Sequence, residues 1–391
     1  MCQLLAKGGF RLTKWISNSR DVMLAVPEQD WSNEVQKLDL KHYSLPAERA
    51  LGVRWDVETD TLRFAVSARE KPMTRRGMLS VLSSVYDPLG FMNPLVLPAK
   101  RMVQDLCKRK VWWDDTLSED CQSWRRWLED LKKLDQLSVS RCLKPSDFGT
   151  VTAVELHHFS DASWDGFGAV SYLRQSDREG CVHCSFVISK SRVAPLRTAT
   201  IPRLELCAAV LSAQLDNLIR RELDIKIHRS VFWSDSTVVL QYIRNEDKRF
   251  HTFVANRISA ILAVSSPSQW RYVNTDINPA DDISRGMSAD EFTCNQRWFN
   301  GPQFLWQEEG AWPHDPVPFG CLSENDPEVR TNPVIYTTQT GYSDIIDRIF
   351  AQRSSWIRLK YDIGWISRFI NWRFCTVKPE FECSLSVGYR S

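Results

Sequence analysis

The stretch FSDASWDGFGAV, from Phe159 to Val170, decides how the middle of the chain is interpreted. An apolar run ends at Asp161, small residues follow, and a glycine-rich segment leads directly into a second apolar run. This alternation around a short polar turn predicts two antiparallel strands joined as a hairpin. On its own, Asp161 can be a turn former, a helix cap or a metal ligand. The rest of the chain has to distinguish these roles.

The elements that follow predict a mixed α/β domain over residues 151–292. Three consecutive strand patterns precede a helix that begins at about Pro202. A fourth strand, RSVFWSD, comes next, followed by helical stretches over 236–263. A fifth strand, QWRYVN, and a helix near 279–290 complete the pattern.

The flanking parts of the chain differ in character from this domain. Residues 1–68 have the pattern of short strands and turns, and residues 69–150 are mainly helical, with SRCLKPSDFGT as a linker. From residue 293 the chain is rich in Trp, Pro and Gly and then turns helical again. These changes predict four parts: 1–68, 69–150, 151–292 and 293–391.

Composition limits the class of protein. The chain has 391 residues, of which 43% are hydrophobic and 25% charged, as is usual for a globular protein. No run of about 18 apolar residues occurs, so we expect no membrane span. The 11 cysteines lack framework spacing, which indicates reduced thiols and an intracellular, cytoplasmic or nuclear, location. Fifty Lys and Arg against 48 Asp and Glu is too balanced to indicate a nucleic-acid partner by itself.

Four carboxylates occupy recurring positions in the predicted domain. Asp161 and Asp235 each end a strand, Glu205 lies one turn into an otherwise apolar helix, and Asp281 opens the last helix. If the two strands are parallel neighbours, their acids meet at one edge of the sheet. Converging carboxylates repel one another unless a cation such as Mg²⁺ binds among them. Taken singly, each acid also fits a cap or a solvent-facing residue.

The motifs that carry these acids have a family resemblance. FSDAS…GFGAV, IPRLELCAA, FWSDSTVVLQYI and NPADDISRG together resemble the ribonuclease H domain of BEL/Pao-type retrotransposon Pol polyproteins. KGGFRLTKWISNS and ALGVRW resemble the end of that family's reverse-transcriptase domain. SSVYDPLGFMNPLVLPAK resembles the segment that connects the two domains, and SSWIRLKYDIGWISRFINW the stretch leading to integrase.

The resemblance implies a fold for each part. Residues 151–292 would form a ribonuclease H-like mixed five-stranded sheet with flanking helices. Residues 1–68 would be the C-terminal remnant of the reverse-transcriptase palm, and residues 69–150 the helical connection region. Residues 293–391 would be a linker and a helical segment towards integrase. The polymerase signature Tyr-x-Asp-Asp does not occur, so we expect no polymerisation by this chain alone.

The resemblance also assigns the four acids as catalytic, metal-binding residues: Asp161, Glu205, Asp235 and Asp281. Asp282 is a neighbouring alternative for the fourth, but the family pattern Asn-x-Ala-Asp fits Asn278 to Asp281. The implied cofactor is a pair of Mg²⁺ ions, with Mn²⁺ as an alternative.

The implied activity is a metal-dependent endonuclease. It would cut the RNA strand of an RNA–DNA hybrid by in-line attack of water, leaving 5′-phosphate and 3′-hydroxyl ends. The implied partners are the hybrid and other domains of the parent polyprotein, and no membrane. Two alternatives stay open: a non-catalytic nucleic-acid-binding or structural remnant, and a protein-interaction module built on the Trp-rich helices.

A basic segment leads into the predicted catalytic helix. It contains Lys190, Arg192, Arg197 and Arg203, with no acidic residue between them. We expect these cations to contact the nucleic-acid backbone. Charge alone fits a solvated loop equally well.

Overall fold

The computed structural model describes residues 2–36, 47–50, 53–64, 71–117, 121–134, 137–196, 199–316, 322–323, 325–330 and 356–375. The chain divides into two compact units, Met1–Thr331 and Asn332–Ser391. The first unit holds both sheets, and in the second the structure describes a single helix.

The described helices of the first unit are α1 (Cys2–Lys7), α2 (Arg20–Leu24), α3 (Asn33–Gln36), α4 (Arg75–Ser84), α5 (Asn93–Lys108), α6 (Cys121–Lys133), α7 (Ile201–Glu222), α8 (Thr237–Arg244), α9 (Thr252–Leu262), α10 (Ala280–Arg285), α11 (Ala289–Cys294) and α12 (Gln296–Asn300). The strands are β1 (Ala47–Ala50), β2 (Val53–Asp56), β3 (Thr61–Arg63), β4 (Ser138–Ser140), β5 (Val151–Ala162), β6 (Gly166–Asp177), β7 (Val182–Val193), β8 (Arg229–Ser234) and β9 (Trp270–Tyr272).

The larger sheet has five strands in the order β7-β6-β5-β8-β9. The first three strands along the chain, β5, β6 and β7, are antiparallel neighbours, whereas β8 runs parallel to both β5 and β9. This mixed sheet with helices on its faces is the predicted ribonuclease H-like fold. The condition under which Asp161 and Asp235 meet at one edge is met, because β5 and β8 are parallel neighbours that pair directly.

Helices cover both faces of this sheet. On one face, α7 packs its buried leucines and alanines against β5 and β6, and α8 and α9 extend the same layer. On the other face, α5 and α10 pack on the sheet, and Phe159 and Trp233 lie fully buried beneath this second layer. Each such aromatic removes enough apolar surface from water to stabilise the fold by about 1.5–3 kcal/mol.

A smaller antiparallel sheet lies in the N-terminal part, in the order β1-β2-β3-β4. Its last strand comes from residues 138–140, so the chain returns to this sheet after the helices α4, α5 and α6. The predicted helical character of residues 69–150 is seen in these three helices. The relation of the small sheet to a reverse-transcriptase palm stays a prediction.

Residues after 293 complete the core of the larger domain, where the sequence indicates a linker. Trp298 and Trp312 are among the largest fully buried side chains, and Phe304 and Leu305 pack beside them. The indole N–H of Trp298 donates to the carbonyl of Phe91 at 2.9 Å. The compact unit therefore continues to Thr331 rather than ending near residue 292.

The second unit contains α13 (Trp356–Cys375). Its described aromatic side chains Tyr361, Trp365 and Phe369 are exposed. Among the described residues, no helix combines the length and apolarity needed to cross a bilayer.

Candidate metal centre

Two of the predicted ligands lie at the same edge of the sheet. In the parallel pairing of β5 with β8, Ser160 lies opposite Ser234, and each is followed immediately by an aspartate. Asp161 and Asp235 are therefore brought side by side at the carboxyl ends of two adjacent strands. Asp161 is on the face covered by α10, and it is buried.

The other two acids reach this edge from helices. Glu205 is in the first turns of α7, and Asp281 is in the first turn of α10. A serine directly after Asp235 connects two of the elements, because Ser236 caps α8 and its hydroxyl donates to Glu205. Ser236 thus acts as a helix cap and as a hydrogen-bond donor to one of the acids.

The electrostatic couplings show that the acids act on one another. Burial, together with the charges of Asp235 and Asp281, raises the pKa of Asp161 to about 7. Burial also raises the pKa of Asp235, with a further contribution from Asp281. Burial and the charge of Asp235 likewise raise the pKa of Glu205, against the hydrogen bond from Ser236. Such mutual repulsion among buried carboxylates is what a bound cation relieves.

Each of the four carboxylates has one hydrogen-bond donor of its own. The pairs, donor first, are Ser284 with Asp161, Ser236 with Glu205, Thr275 with Asp235 at 2.7 Å, and Arg285 with Asp281. Three donors are neutral hydroxyls and one is a cation. In this arrangement no three of the four acids bring ligand oxygen atoms within 4.8 Å of one another.

One oxygen at this edge is left without any donor. Oδ1 of Asp235 is buried and has no hydrogen-bond partner in the described part of the chain. A buried carboxylate oxygen without a partner is costly unless a cation binds it. An all-carboxylate donor set is also the chemistry that hard ions such as Mg²⁺ prefer. The residues present therefore fit the metal that the resemblance implies.

A second acidic group lies elsewhere in the described residues. Asp177, Glu179 and Cys181 place their ligand atoms within 4.8 Å of one another in the turn after β6. Oδ1 of Asp177 accepts the backbone N–H groups of Glu179 and Cys181, each at 2.9 Å. The group is explained by the hydrogen bonds of this turn.

The structure separates the two candidates for the fourth ligand. Asp282 is buried, and its carboxylate accepts hydrogen bonds from Asn295 and Arg297. Asp281, by contrast, acts electrostatically on both Asp161 and Asp235. This arrangement favours Asp281, in agreement with the Asn-x-Ala-Asp pattern.

The glycine-rich return after the hairpin has a structural reason at Gly168, which lies directly opposite Asp161 in the β5–β6 register. A Cβ at this position would lie 2.6 Å from Cδ1 of Ile283 and 2.7 Å from the carbonyl oxygen of Lys190. Only glycine therefore lets α10 approach the sheet closely enough to place Asp281 beside Asp161.

The predicted backbone-contact residues have different surroundings. Lys190 and Arg192 are exposed on the edge strand β7, two residues apart and thus on the same face. Arg203 instead forms an ion pair with Glu328 at 2.5 Å. Arg197 lies outside the described residues. Among the described cations of this set, Lys190 and Arg192 are therefore the ones that are exposed and can face a ligand.

Sequence reasoning missed two residues of α10 that hold the acids. Ser284 is fully buried and donates to Asp161, which is 123 residues away in the chain. Arg285 pairs with Asp281 one helical turn earlier. The only available signal was the i, i+4 spacing of Asp281 and Arg285 within NPADDISRG.

Residues 74–236 match the family model of the Pao retrotransposon-like RNaseH-like domain. The match covers the connection helices and the first part of the α/β domain. It includes Asp161, Glu205 and Asp235, whereas Asp281 lies beyond its end. Residues 74–236 of the chain are thus similar to the Pao retrotransposon-like RNaseH-like domain. No curated protein matches the chain significantly.

Solved structures similar to this chain include ribonucleases H at low identity. The N-terminal RNase H domain of a Mycobacterium tuberculosis protein is 13% identical, with a TM-score of 0.24, and the match covers 34% of this chain and 94% of that one. LC11-RNase H1 in complex with an RNA/DNA hybrid is 10% identical, with a TM-score of 0.22 and coverages of 33% and 92%.

A longer but weaker likeness is to the foamy viral protease-reverse transcriptase in complex with dsDNA. It is 11% identical, with a TM-score of 0.21, and the match covers 58% of this chain and 44% of that chain. These likenesses are too distant to say anything about activity.

Proposed function

We propose that this chain is a ribonuclease H-type endonuclease that cuts the RNA strand of an RNA–DNA hybrid with two Mg²⁺ ions. Its main support is the buried Oδ1 of Asp235, which has no hydrogen-bond partner among the described residues. Beside it, burial raises the pKa values of Asp161 and Glu205, and the charge of Asp235 raises both further. A structural role alone gives no reason to assemble so much uncompensated negative charge at one sheet edge.

In this proposal Asp161, Glu205, Asp235 and Asp281 hold the ions. When bound, such a pair supplies an activated water and stabilises the leaving oxygen of the phosphodiester. Ser284 and Ser236 hold the carboxylates of Asp161 and Glu205 in place through their hydroxyl groups. The exposed Lys190 and Arg192 contact phosphates of the hybrid, which fixes its position without reading its sequence.

The test is cleavage of a labelled RNA–DNA hybrid by the purified chain in MgCl2. We expect the RNA strand to be cut into products with 5′-phosphate ends, and Asp235→Asn to abolish cleavage. Asp224→Asn is the matched control, because Asp224 is exposed and lies outside the site. If Asp235→Asn cleaves as fast as the unmodified chain, the proposal is wrong. Hybrid binding without cleavage by the unmodified chain would instead favour the non-catalytic alternative.

A further inference from the structure

The turn between β5 and β6 carries a tryptophan that faces water. Trp164 is 72% exposed, although it lies in a hairpin whose flanking strands are almost entirely buried. Single exposed apolar side chains are common on protein surfaces, but an exposed Trp offers a ligand a large, rigid ring. The surroundings of this turn indicate which ligand such a ring would fit.

The turn is held firmly by polar contacts. The hydroxyl of Ser163 donates to the carbonyl of Ser284 at 2.6 Å and accepts the backbone N–H of Asp165 at 3.0 Å. The side chain of Asp165 pairs with Arg101 at 2.5 Å, and its carbonyl accepts the N–H of Ala194. A side chain on so fixed a turn loses little conformational entropy when it binds a ligand.

The same contacts tie Trp164 to the proposed metal centre. Ser284, which receives the hydrogen bond from Ser163, also donates its own hydroxyl to Asp161. Asp161 itself is only three residues before Trp164 in the chain. The turn that carries Trp164 therefore lies at the border of the carboxylate edge.

Cations surround this border. Arg101 reaches the turn from α5, and its side chain is 43% exposed. Arg192 is exposed on β7 and lies opposite Phe167, near the start of β6. An exposed aromatic ring on a turn with cations on neighbouring elements suits a ligand that combines apolar ring surfaces with negative charge, and a nucleic acid has both.

We propose that Trp164 is a binding platform that packs against sugar rings of the RNA–DNA hybrid next to the scissile phosphate. This inference rests on the proposed function. An A-form-like helix has a wide, shallow minor groove lined by sugar rings and 2′-hydroxyls, which a projecting indole can reach without unpairing a base. Trp164 is thus a positioning residue, and the chemistry stays with the carboxylates.

Binding is measured by fluorescence anisotropy with a labelled hybrid, in the Asp235→Asn background so that the substrate stays intact. We expect Trp164→Ala to weaken hybrid binding by about 5-fold, the lower end of the range for an aromatic stacking contact, because sugar rings offer less flat surface than bases. Trp164→Phe retains a flat ring and should recover most of the affinity. In the catalytic background, Trp164→Ala should raise KM with little change in kcat.

Trp112→Ala is the matched control, because Trp112 is 75% exposed but lies in the segment after α5. Equal hybrid affinity for Trp164→Ala and Trp112→Ala would overturn the platform, as would a loss that Trp164→Phe does not recover. Cleavage by the chain with Trp164 intact tests the proposed function separately. A chain that cleaves while Trp164→Ala binds normally would refute the platform alone.

Discussion

Arg285 lies one helical turn after Asp281, and its Nε donates a hydrogen bond to Oδ1 of that carboxylate. The charges of Asp161 and Asp235 also act on this guanidinium, raising the pKa of Arg285 further. The side chain of Arg285 is largely exposed, so it can leave the acids without unfolding α10. Arg285 is therefore a cation of the chain placed where the proposed Mg²⁺ would bind.

Replacing Arg285 by Gln should strengthen Mg²⁺ binding. Two unit charges a few ångströms apart near a protein surface interact by about 1–4 kcal/mol, so removing a competing cation should tighten binding at least several-fold. The measurement is the rise in Tm with MgCl2, fitted to a dissociation constant. Arg285→Lys keeps the charge and serves as the control. Weaker Mg²⁺ binding in Arg285→Gln would show that Arg285 positions Asp281 rather than competing with the ion.

The raised pKa of Asp161 predicts an unusual pH dependence of stability. Its pKa is about 7 in the folded chain, against an ordinary value of 3.8. Between these values the folded chain holds a proton that the unfolded chain has released. The stability that Asp161 contributes to the metal-free protein is therefore lost as the pH rises from about 4 to 7. At about 1.4 kcal/mol per pKa unit, the loss amounts to a few kcal/mol.

The effect of Asp161 is isolated by comparing the unmodified chain with Asp161→Asn. Burial lowers the pKa of His157 to about 4, and this gives an opposite slope between pH 6.5 and 4 in both proteins. The unfolding free energy of Asp161→Asn should therefore increase relative to that of the unmodified chain as the pH rises. At pH 6.5, Mg²⁺ binding to the unmodified chain should release protons, measured by calorimetry in two buffers. If the two proteins differ in unfolding free energy by the same amount at every pH in this range, the pKa of Asp161 is not raised in the folded chain.

Short-range patterns were enough to predict the strand ends and the helices of the site. FSDAS and FWSDS both place an aspartate directly after a buried strand, and the parallel pairing of those strands follows from the order of elements. The long-range contacts of the domain, including those that hold the acids, could not be predicted from the sequence, because they join residues that are far apart in the chain. Ser284 and Asp161 are 123 residues apart, and Arg203 and Glu328 are 125 residues apart. Packing of Trp312 under the sheet is equally long-range.

Gly168→Ala should destabilise the fold and disturb the metal centre together. The added methyl group would meet Ile283 of α10 and the backbone of β7, and overpacking of this kind costs about 1–3 kcal/mol. Urea unfolding measures the stability, and the Mg²⁺-induced rise in Tm should become smaller as α10 is displaced. Gly310→Ala is the control, because a Cβ there meets nothing within 4 Å. Adding Ile283→Val to Gly168→Ala should recover part of the lost unfolding free energy, because the smaller side chain makes room for the added methyl group. If the effects of the two substitutions on stability simply add, the methyl group and Ile283 are not in direct contact.

A buried chain of Ser171, His158 and Asp216 resembles a hydrolase triad, but it should act only in stability. His158 Nδ1 lies 2.8 Å from the Ser171 hydroxyl, and Nε2 lies 3.1 Å from the carboxylate of Asp216. Ser171 and His158 are fully buried, so no substrate can reach the hydroxyl. Burial also lowers the pKa of His158, against the opposing effect of the Asp216 carboxylate.

His158→Ala should therefore cost about 2–4 kcal/mol of unfolding free energy, because it leaves a cavity and unpaired polar groups. Ser171→Ala removes one hydrogen bond and should cost only about 1 kcal/mol. Both are measured by urea unfolding, alongside hybrid cleavage under conditions where the variants stay folded. Because the triad-like residues lie beneath α7, on the face of the sheet away from Asp161, folded Ser171→Ala should cleave at the unmodified rate. Loss of cleavage in a stably folded Ser171→Ala would show that this hydroxyl takes part in the chemistry.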